Sequence, residues 1–565
     1  MAVINHKVSE PTLYTNDQLH NLRENIAALQ KNQGSLATRL SRPLYRDHIS
    51  VGNDGALAIE LGKQMVSLTL KQSVVLALCF EVACERVVAL LGIGNGDCAE
   101  QLLTQNDSLL LWDRDPAIMQ RFLAGADYTE ALSSGRLQLF LGADIQRIRN
   151  RQVAIIEHPF AAKLYPNEVA LCRSHSEQKI AFVVAGELFF SDISSALQDR
   201  GYSVYTWDIK RLNVEELDYN ARAMNPDFVV SVNHIEGLLE ACEDLHIPII
   251  TWEIDPSTAF VATKSNKTEN SYMYSYNRDN LSAYESASYQ SVAHLPLATN
   301  PKVRFPVELT GDGDSKYISD VSFVGASMVD NSKRCEVAFA STYSSCFPAE
   351  RIGSGAVLLR RLMEMQRQAP SRFITPRLLE RLSPEFRGLA RDLNLEDPAM
   401  LAGEIAASEK RLATLANIGS FSTRIWGDPD WKAVVQFGAE YMGYAGHFYE
   451  LNKIYSGAKI NLDVNRIYQM NIVPMRVFDV LACGGFILTE HSSELCELFE
   501  VGVHLETWRD FDELQDKIRW YLAHDKERET IAKAGREWVL QRHTIEQRVA
   551  GMVRELGVCG ESAGR

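Results

Sequence analysis

The sequence predicts an α/β protein built from several Rossmann-like units, and three stretches carry that prediction. Residues 85–156 read as a strand, a glycine-rich turn, a helix, and a second strand ending in an acid. From Lys179 to Pro256 short apolar strands alternate with helical segments, the pattern of a parallel sheet. Ser319–Gly325 and Asn471–Glu490 repeat the strand, glycine turn and helix vocabulary in the second half.

At 565 residues the chain has room for roughly three or four domains. A formal net charge of −15 argues against a general nucleic-acid binder, because phosphate needs a basic face. No apolar run reaches the ~18 residues of a membrane-spanning helix. The opening MAVINHKVSEPTLYTND is polar and lacks a signal-peptide core. Ten scattered cysteines without a Cys-x-x-Cys pair fit reduced, buried thiols and a cytoplasmic protein, with no metal site.

Asp17–Arg42 carries Leu19, Leu22, Ile26, Leu29, Leu36 and Leu40 at helical spacing, with a break near Gly34. This helix either packs on its own domain or forms a homo-oligomer contact. Leu44–Asp54 reads as a connector.

The next unit begins with the strand Arg86–Leu91, the turn Gly92-Ile93-Gly94-Asn95-Gly96, a helix through Leu102, and the strand Leu109–Trp112 before Asp113. Gly92, Gly94 and Gly96 let backbone approach a ligand, and Asp113 at a strand end can hold a ribose. The same glycines serve close packing equally well. Asp113-x-Asp115 is also an acid pair that could hold a divalent cation against a diphosphate, although the preceding glycine turn favours the nucleotide reading. The order resembles S-adenosylmethionine methyltransferases and the Rossmann-like domain of motility-associated (Maf-type) flagellin glycosyltransferases. No catalytic tetrapeptide of the Asn-Pro-Pro-Tyr kind is present.

In the Lys179–Pro256 stretch, ligands of a parallel sheet belong beyond the carboxyl ends of the strands. Gly186, Glu187, His234, Glu236, Trp252, Glu253 and Asp255 therefore share a rim. His234, Glu187 and Asp255 are candidates for a general base, with His234 first because it titrates nearest neutral pH. Loop hydrogen bonds to backbone account for any one of them taken singly.

The second half is organised around NIVPMRVFDVLACGGFILTE, residues 471–490. Met475–Ala482 reads as a helix with Pro474 at its start, followed by the Gly484-Gly485 turn and a short apolar strand. Arg476 and Asp479, three apart, share one helix face near the positive end of the helix dipole. That constellation suits a sugar nucleotide: Arg476 and the helix end on the diphosphate, Asp479 on ribose hydroxyls. A surface ion pair beside a helix-stop turn is the alternative. Gly325 and Arg334 after the strand at Ser319, Lys459 and Asn461 before the organising stretch, and Arg466 in the loop are further phosphate-site candidates.

Arg-x-Phe-Asp-x-x-Ala-x-Gly-Gly-Phe-x-x-Thr-Glu, residues 476–490, resembles the donor signature of the CgeB-like (spore-maturation-type) glycosyltransferases, with Asp479 where that family usually has Glu. Asn225-Pro226-Asp227, Trp252-x-x-Asp255-Pro256 and Tyr-Ser-Gly-x-Lys-Ile-Asn-Leu, residues 455–462, resemble the same family. The resemblance spans Lys179–Leu556. It implies a GT-B fold, two Rossmann-like domains facing a cleft, and a nucleotide-sugar donor, UDP-sugar foremost, held by Gly325, Arg334, Lys459, Asn461, Arg466, Arg476, Asp479, Gly484, Gly485 and Thr489. It also implies no required cofactor or metal and a protein or glycan acceptor, flagellin being suggested by the N-terminal unit.

The organisation expected is a helical region over 1–84, a Rossmann-like (methyltransferase-like) domain over 85–175, an acceptor-side domain over 176–315 and a donor domain over 316–556. The donor domain carries a helical insertion at about 345–420. Methyl transfer through Gly92–Gly96 and Asp113, or a non-catalytic scaffold, are the other classes.

Overall fold

The computed structural model describes residues 14–52, 56–61, 64–149, 151–175, 177–186, 188–255, 261, 268–446, 449–469 and 471–562. Glu187 lies outside them. Two compact units are present, residues 1–251 with 269–271, and residues 252–268 with 272–565.

The first unit opens with helices Asn16–Asn32 and Gly34–Leu40. Thr15 caps the first, closing a reciprocal pair of bonds with Gln18. A three-stranded antiparallel sheet follows, β1 (Ile49–Val51), β2 (Leu57–Leu61) and β3 (Gln64–Ser67); β1 lies in the expected connector, and β2 and β3 in the region expected to be helical. Then comes a parallel sheet of β4 (Val87–Leu91), β5 (Ser108–Asp113), β6 (Leu137–Leu141) and β7 (Ala154–Glu157), ordered β6-β5-β4-β7. Its strands are near-continuous apolar runs because helices cover both faces. Val88, Leu90, Leu109, Leu111, Leu137 and Leu139 are all enclosed in one core.

The third sheet contains β8 (Ile180–Val184), β9 (Ser203–Trp207), β10 (Phe228–Val232), β11 (Ile249–Glu253), β12 (Thr268–Ser275) and β13 (Tyr289–His294). Their order is β13-β12-β11-β10-β8-β9, and the division between units falls within β11. Inside the first unit, buried charges join the β4–β7 layer to this sheet. Arg39 pairs with Asp144 at 2.9 Å and Glu216 at 2.5 Å, and Arg114 lies 3.4 Å from both Glu168 and Asp208. Removing one member of such a set leaves an uncompensated buried charge.

The second unit is built on a six-stranded parallel sheet ordered β16-β15-β14-β17-β18-β19. Its strands are β14 (Ser319–Val324), β15 (Thr423–Trp426), β16 (Glu440–Gly443), β17 (Ala458–Leu462), β18 (Ile487–Glu490) and β19 (Glu506–Trp508). Between β14 and β15 lie helices Val329–Cys346, Ser354–Gln366, Thr375–Leu382, Phe386–Asp392 and Pro398–Ile418, with a core of their own around Phe339, Leu362, Leu379, Phe386 and Leu401. The last strand starts only at Glu506, because Gly502 (φ +82) and a Val501–Leu505 bridge use the preceding residues for a turn. Helix Asp525–Arg542 runs unbroken through Gly535, where a Cβ would collide with the His504 carbonyl. The glycine there permits close packing and ends nothing.

Burial sets a pH dependence. It pushes His158 and His543 from the ordinary 6.5 down to about 4, with Arg548 reinforcing the effect at His543. Both stay neutral when folded and gain a proton on unfolding. Their share of stability is complete above pH 6.5 and is lost as pH falls towards 4. Asp113, pushed up to about 6 by burial, has the opposite sign: its share is present below 3.8 and is lost as pH rises through 6. Two histidines outweigh one carboxyl, so the melting temperature should drop from pH 6.5 to 4. A flat or rising melting curve over that window would contradict the assignment.

Candidate active site

The carboxyl ends of β14, β17 and β18 meet the amino end of helix Met475–Ala482, which Pro474 starts without a side-chain cap. Arg476, in the first turn of this helix, pairs with the fully buried Asp463 just past β17. Thr489 of β18 donates to the other Asp463 oxygen at 3.0 Å. The guanidinium of Arg476 lies 5.1 Å from the Phe323 ring centroid. A Cβ at Gly325 would sit 2.8 Å from Arg476 Nη2, so Gly325 is what lets the guanidinium lie against the β14 loop.

Helix Pro398–Ile418 supplies the floor of this site. Glu404 accepts from Tyr468 at 2.5 Å and from Asn331 at 2.8 Å. Ser408 donates to the Ser327 carbonyl at 3.0 Å, and Lys410 pairs with Glu490 at 2.6 Å. Arg411 donates to the carbonyls of Ala326 at 2.8 Å and Val464 at 3.3 Å, while its Nε is buried with no partner. Burial first, then the charges of Arg476 and Arg466, lower Arg411 to about 10. Arg466, half-buried in the loop after β17, makes no ion pair or side-chain hydrogen bond to the described residues. Burial disfavours its charge, but Tyr468, Glu404, Tyr276 and Asp255 outweigh this and hold it above the usual arginine value. Three guanidinium groups thus act on one another near the positive end of a helix, an arrangement whose charge suits a doubly charged anion.

These residues were not readable as a site from composition, but a signal existed. Glu404, Ser408 and Arg411 follow i, i+4, i+7 spacing inside an Ala- and Leu-rich helix, so they form one polar stripe along one of its faces.

Gly325, Arg466, Arg476 and Thr489 come together at the strand ends; the other donor candidates do not. Lys459 is the second residue of β17, at its amino end, and pairs with Asp320 at 2.8 Å. Asn461 is buried in the sheet, accepting from Ser322 at 2.8 Å and donating to the carbonyls of Tyr455 and Phe486. Arg334 pairs with Glu396 at 3.1 Å on the exposed side of its helix. Gly484 (φ +73) and Gly485 close the far end of the Met475–Ala482 helix, about 12 Å from its start. Gly484 N–H donates to Leu481 and Gly485 N–H to Val480, and a Cβ on Gly485 would sit 2.6 Å from the Tyr455 carbonyl. Asp479 is buried, with Thr299 Oγ1 at 2.7 Å on one oxygen and Arg304 Nε at 3.0 Å on the other. It faces residues 299–304 and not an open ribose site.

Of the base candidates, Asp255 is exposed just past β11 and within electrostatic reach of Arg466. His234, in the other unit, follows Asn233, whose left-handed φ of +61 aims the loop after β10. Glu253 is tied up by Ser275, by Asn280 at 2.8 Å and by Tyr284 at 2.7 Å.

The N-terminal glycine turn is filled by its own chain. Asp113 accepts from the Ile93 amide at 2.9 Å, the Asp115 amide at 2.9 Å and Tyr165 OH at 3.0 Å. Gly94 (φ +60) lies under the His158 ring, which a Cβ would overlap. Gly92 (φ +85) and Gly96 (φ +95) form the turn, and Phe122 approaches Gly96. Asp115 pairs with His48 at 2.5 Å and caps the next helix, which corrects the acid-pair metal reading. Among the described residues no group of three His, Cys, Asp or Glu is placed to hold a metal, and no helix is long and apolar enough to cross a membrane.

Residues 408–554 match the family described as Glycosyl transferase-like. Among solved structures, a sucrose-phosphate synthase from Thermosynechococcus elongatus is similar at 11% identity and a TM-score of 0.40, over 68% of this chain and all of that one. The Anabaena protein HepE in complex with UDP and glucose is similar at 11% identity and a TM-score of 0.38, over 67% of this chain and all of that one. A Maf glycosyltransferase from Magnetospirillum magneticum is similar at 11% identity and a TM-score of 0.20, over 52% of this chain and 66% of that one. No curated protein matches the chain.

Proposed function

We propose that this protein is a GT-B-type glycosyltransferase that moves a sugar from a nucleoside diphosphate sugar to a hydroxyl of a protein or glycan acceptor. The observation that carries the reading is the convergence of Arg411, Arg466 and Arg476 on the amino end of helix Met475–Ala482, with Arg411 Nε buried and unpartnered. The glycosyltransferase-like match over 408–554 covers all three arginines and that helix. Charge on a leaving diphosphate grows as the sugar–phosphate bond breaks, and preorganised guanidiniums and helix amides stabilise it without reorganising. These groups supply the positive charge a metal would otherwise bring, so the transfer is read as metal-independent. Gly325 and Thr489 shape the site by placing Arg476 and Asp463. Asp255 is the favoured base because its charge acts on Arg466. The partition expected from the sequence, an acceptor side over 176–315 and a donor side over 316–556, belongs to this reading. A uridine donor and a flagellin-like acceptor belong to this reading through the family resemblances.

A thermal-shift panel tests it, with UDP-, GDP-, dTDP- and CMP-sugars, free nucleotides and S-adenosylmethionine. A ligand at about 100 times its dissociation constant should add ~2.7 kcal/mol of stability. The expected result is a shift with one nucleotide family, absent with S-adenosylmethionine because Asp113 and Gly94 are already engaged. A shift with S-adenosylmethionine alone would move the chemistry to the N-terminal unit, and no shift at all would favour a scaffold.

A further inference from the structure

The helices inserted between β14 and β15 carry a charge pattern that the active site does not use. Residues 351–391 contain nine arginines, three glutamates and no lysine, within a chain whose net charge is −15. Arg367 pairs with Glu409, Arg387 with Asp397 and Arg391 with Asp392. Arg351, Arg360, Arg361, Arg372, Arg377 and Arg381 are exposed and form no ion pair with the described residues. They stand on the outer faces of the adjacent helices Ser354–Gln366 and Thr375–Leu382 and the turns beside them, and the opposite faces of those helices bury Leu359, Leu362, Leu378 and Leu379. Two large apolar side chains lie in the same outer region: Ile352 is 99% exposed and Val357 is 64% exposed.

Six unpaired arginines repel one another and gain nothing for the fold, whereas exposed apolar groups beside them cost solvation. We propose that this outer face is a docking surface for an acidic segment of a protein partner. Three features select a polypeptide over other polyanions. Arginine without lysine is the composition of protein interfaces, where the planar fork meets carboxylates two bonds at a time. Ile352 and Val357 provide apolar anchors within the charged field, as a protein interface core requires. Glu364 and Glu380 interleave with the arginines on the exposed faces, and an unbroken phosphate surface would be repelled by both.

The test uses the full chain and a fluorescent random copolymer of glutamate and tyrosine as probe, read by anisotropy. Controls are a single-stranded oligonucleotide and vesicles containing phosphatidylglycerol. The charge-reversed variant Arg360→Glu/Arg361→Glu/Arg377→Glu/Arg381→Glu and the apolar variant Ile352→Ser/Val357→Ser alter exposed positions only. The native protein should bind the copolymer, at least about tenfold more tightly than the charge-reversed variant does. Binding should weaken when salt brings the Debye length to about 3 Å. The apolar variant should also bind less tightly, with nucleotide-sugar turnover unchanged. Tighter binding to the oligonucleotide or the vesicles would overturn the assignment to a protein partner. Equal copolymer binding by native and charge-reversed chains, or none by either, would overturn the docking surface itself.

Discussion

Arg476→Ala should lower nucleotide-sugar turnover by about 10²–10³-fold, the usual cost of removing one preorganised group from a developing anion. The side chain touches three parts of the site at once: Asp463 through an ion pair, Phe323 through its ring and Gly325 through close backbone approach. Truncation also leaves Asp463 buried with only Thr489 as a side-chain hydrogen-bond partner among the described residues, so some destabilisation is expected alongside the loss of rate. Arg476→Lys separates the two effects. It keeps a cation for Asp463 but loses the planar fork, and should therefore fold normally while turning over at a rate between those of the native enzyme and the alanine variant. The decisive measurement is kcat for both variants, with the melting temperature taken on the same samples. Native kcat in Arg476→Ala would remove the donor-site assignment.

Asp479→Ala should cost about 3–5 kcal/mol of stability, because it removes the buried carboxylate that pairs with the buried Arg304 guanidinium at 3.0 Å. Thr299 also loses its acceptor, and its backbone is already engaged with His543 and Ile545. The residue therefore fastens residues 299–304 to helix Met475–Ala482. Replacing both charges, as in Arg304→Met/Asp479→Leu, should recover most of the loss, since a buried pair exchanged for apolar groups of similar volume is often neutral. Chemical denaturation of the two single variants and the double variant gives the coupling directly. If Asp479 served mainly as a ribose acceptor, the single variant would instead keep its stability and lose donor affinity.

Local signals in the sequence were reliable where one element decided its own form. The helix Met475–Ala482 is set by Pro474 at its start and glycine at its end, and it appears over those residues. The glycine turn after β4 likewise forms with all three glycines at positive φ. What a turn faces depends on residues far away in the chain. Gly92–Gly96 reads as a ligand cradle, yet His158, more than sixty residues on, covers it. Gly484-Gly485 reads as an approach to ligand, yet it lies at the wrong end of its helix. Lys459 could have been set aside from the sequence, because the amino end of a parallel strand points away from the ligand rim. The strands β12 and β13 were not legible, as TENSYMYS and YQSVAH carry too many polar residues for a buried run.

Helix Pro398–Ile418 also has a bearing on how the protein can be divided. The family match starts at residue 408, in the middle of this helix, and a truncated chain cut there would discard Asp397 and the first turns it caps. Lys410 and Arg411 would remain, but on a freshly exposed and fraying end, without the Glu404 bonds to Tyr468 and Asn331. A shortened version meant to retain donor binding therefore has to begin before β14, so that the first strand and the whole inserted bundle travel with the rest.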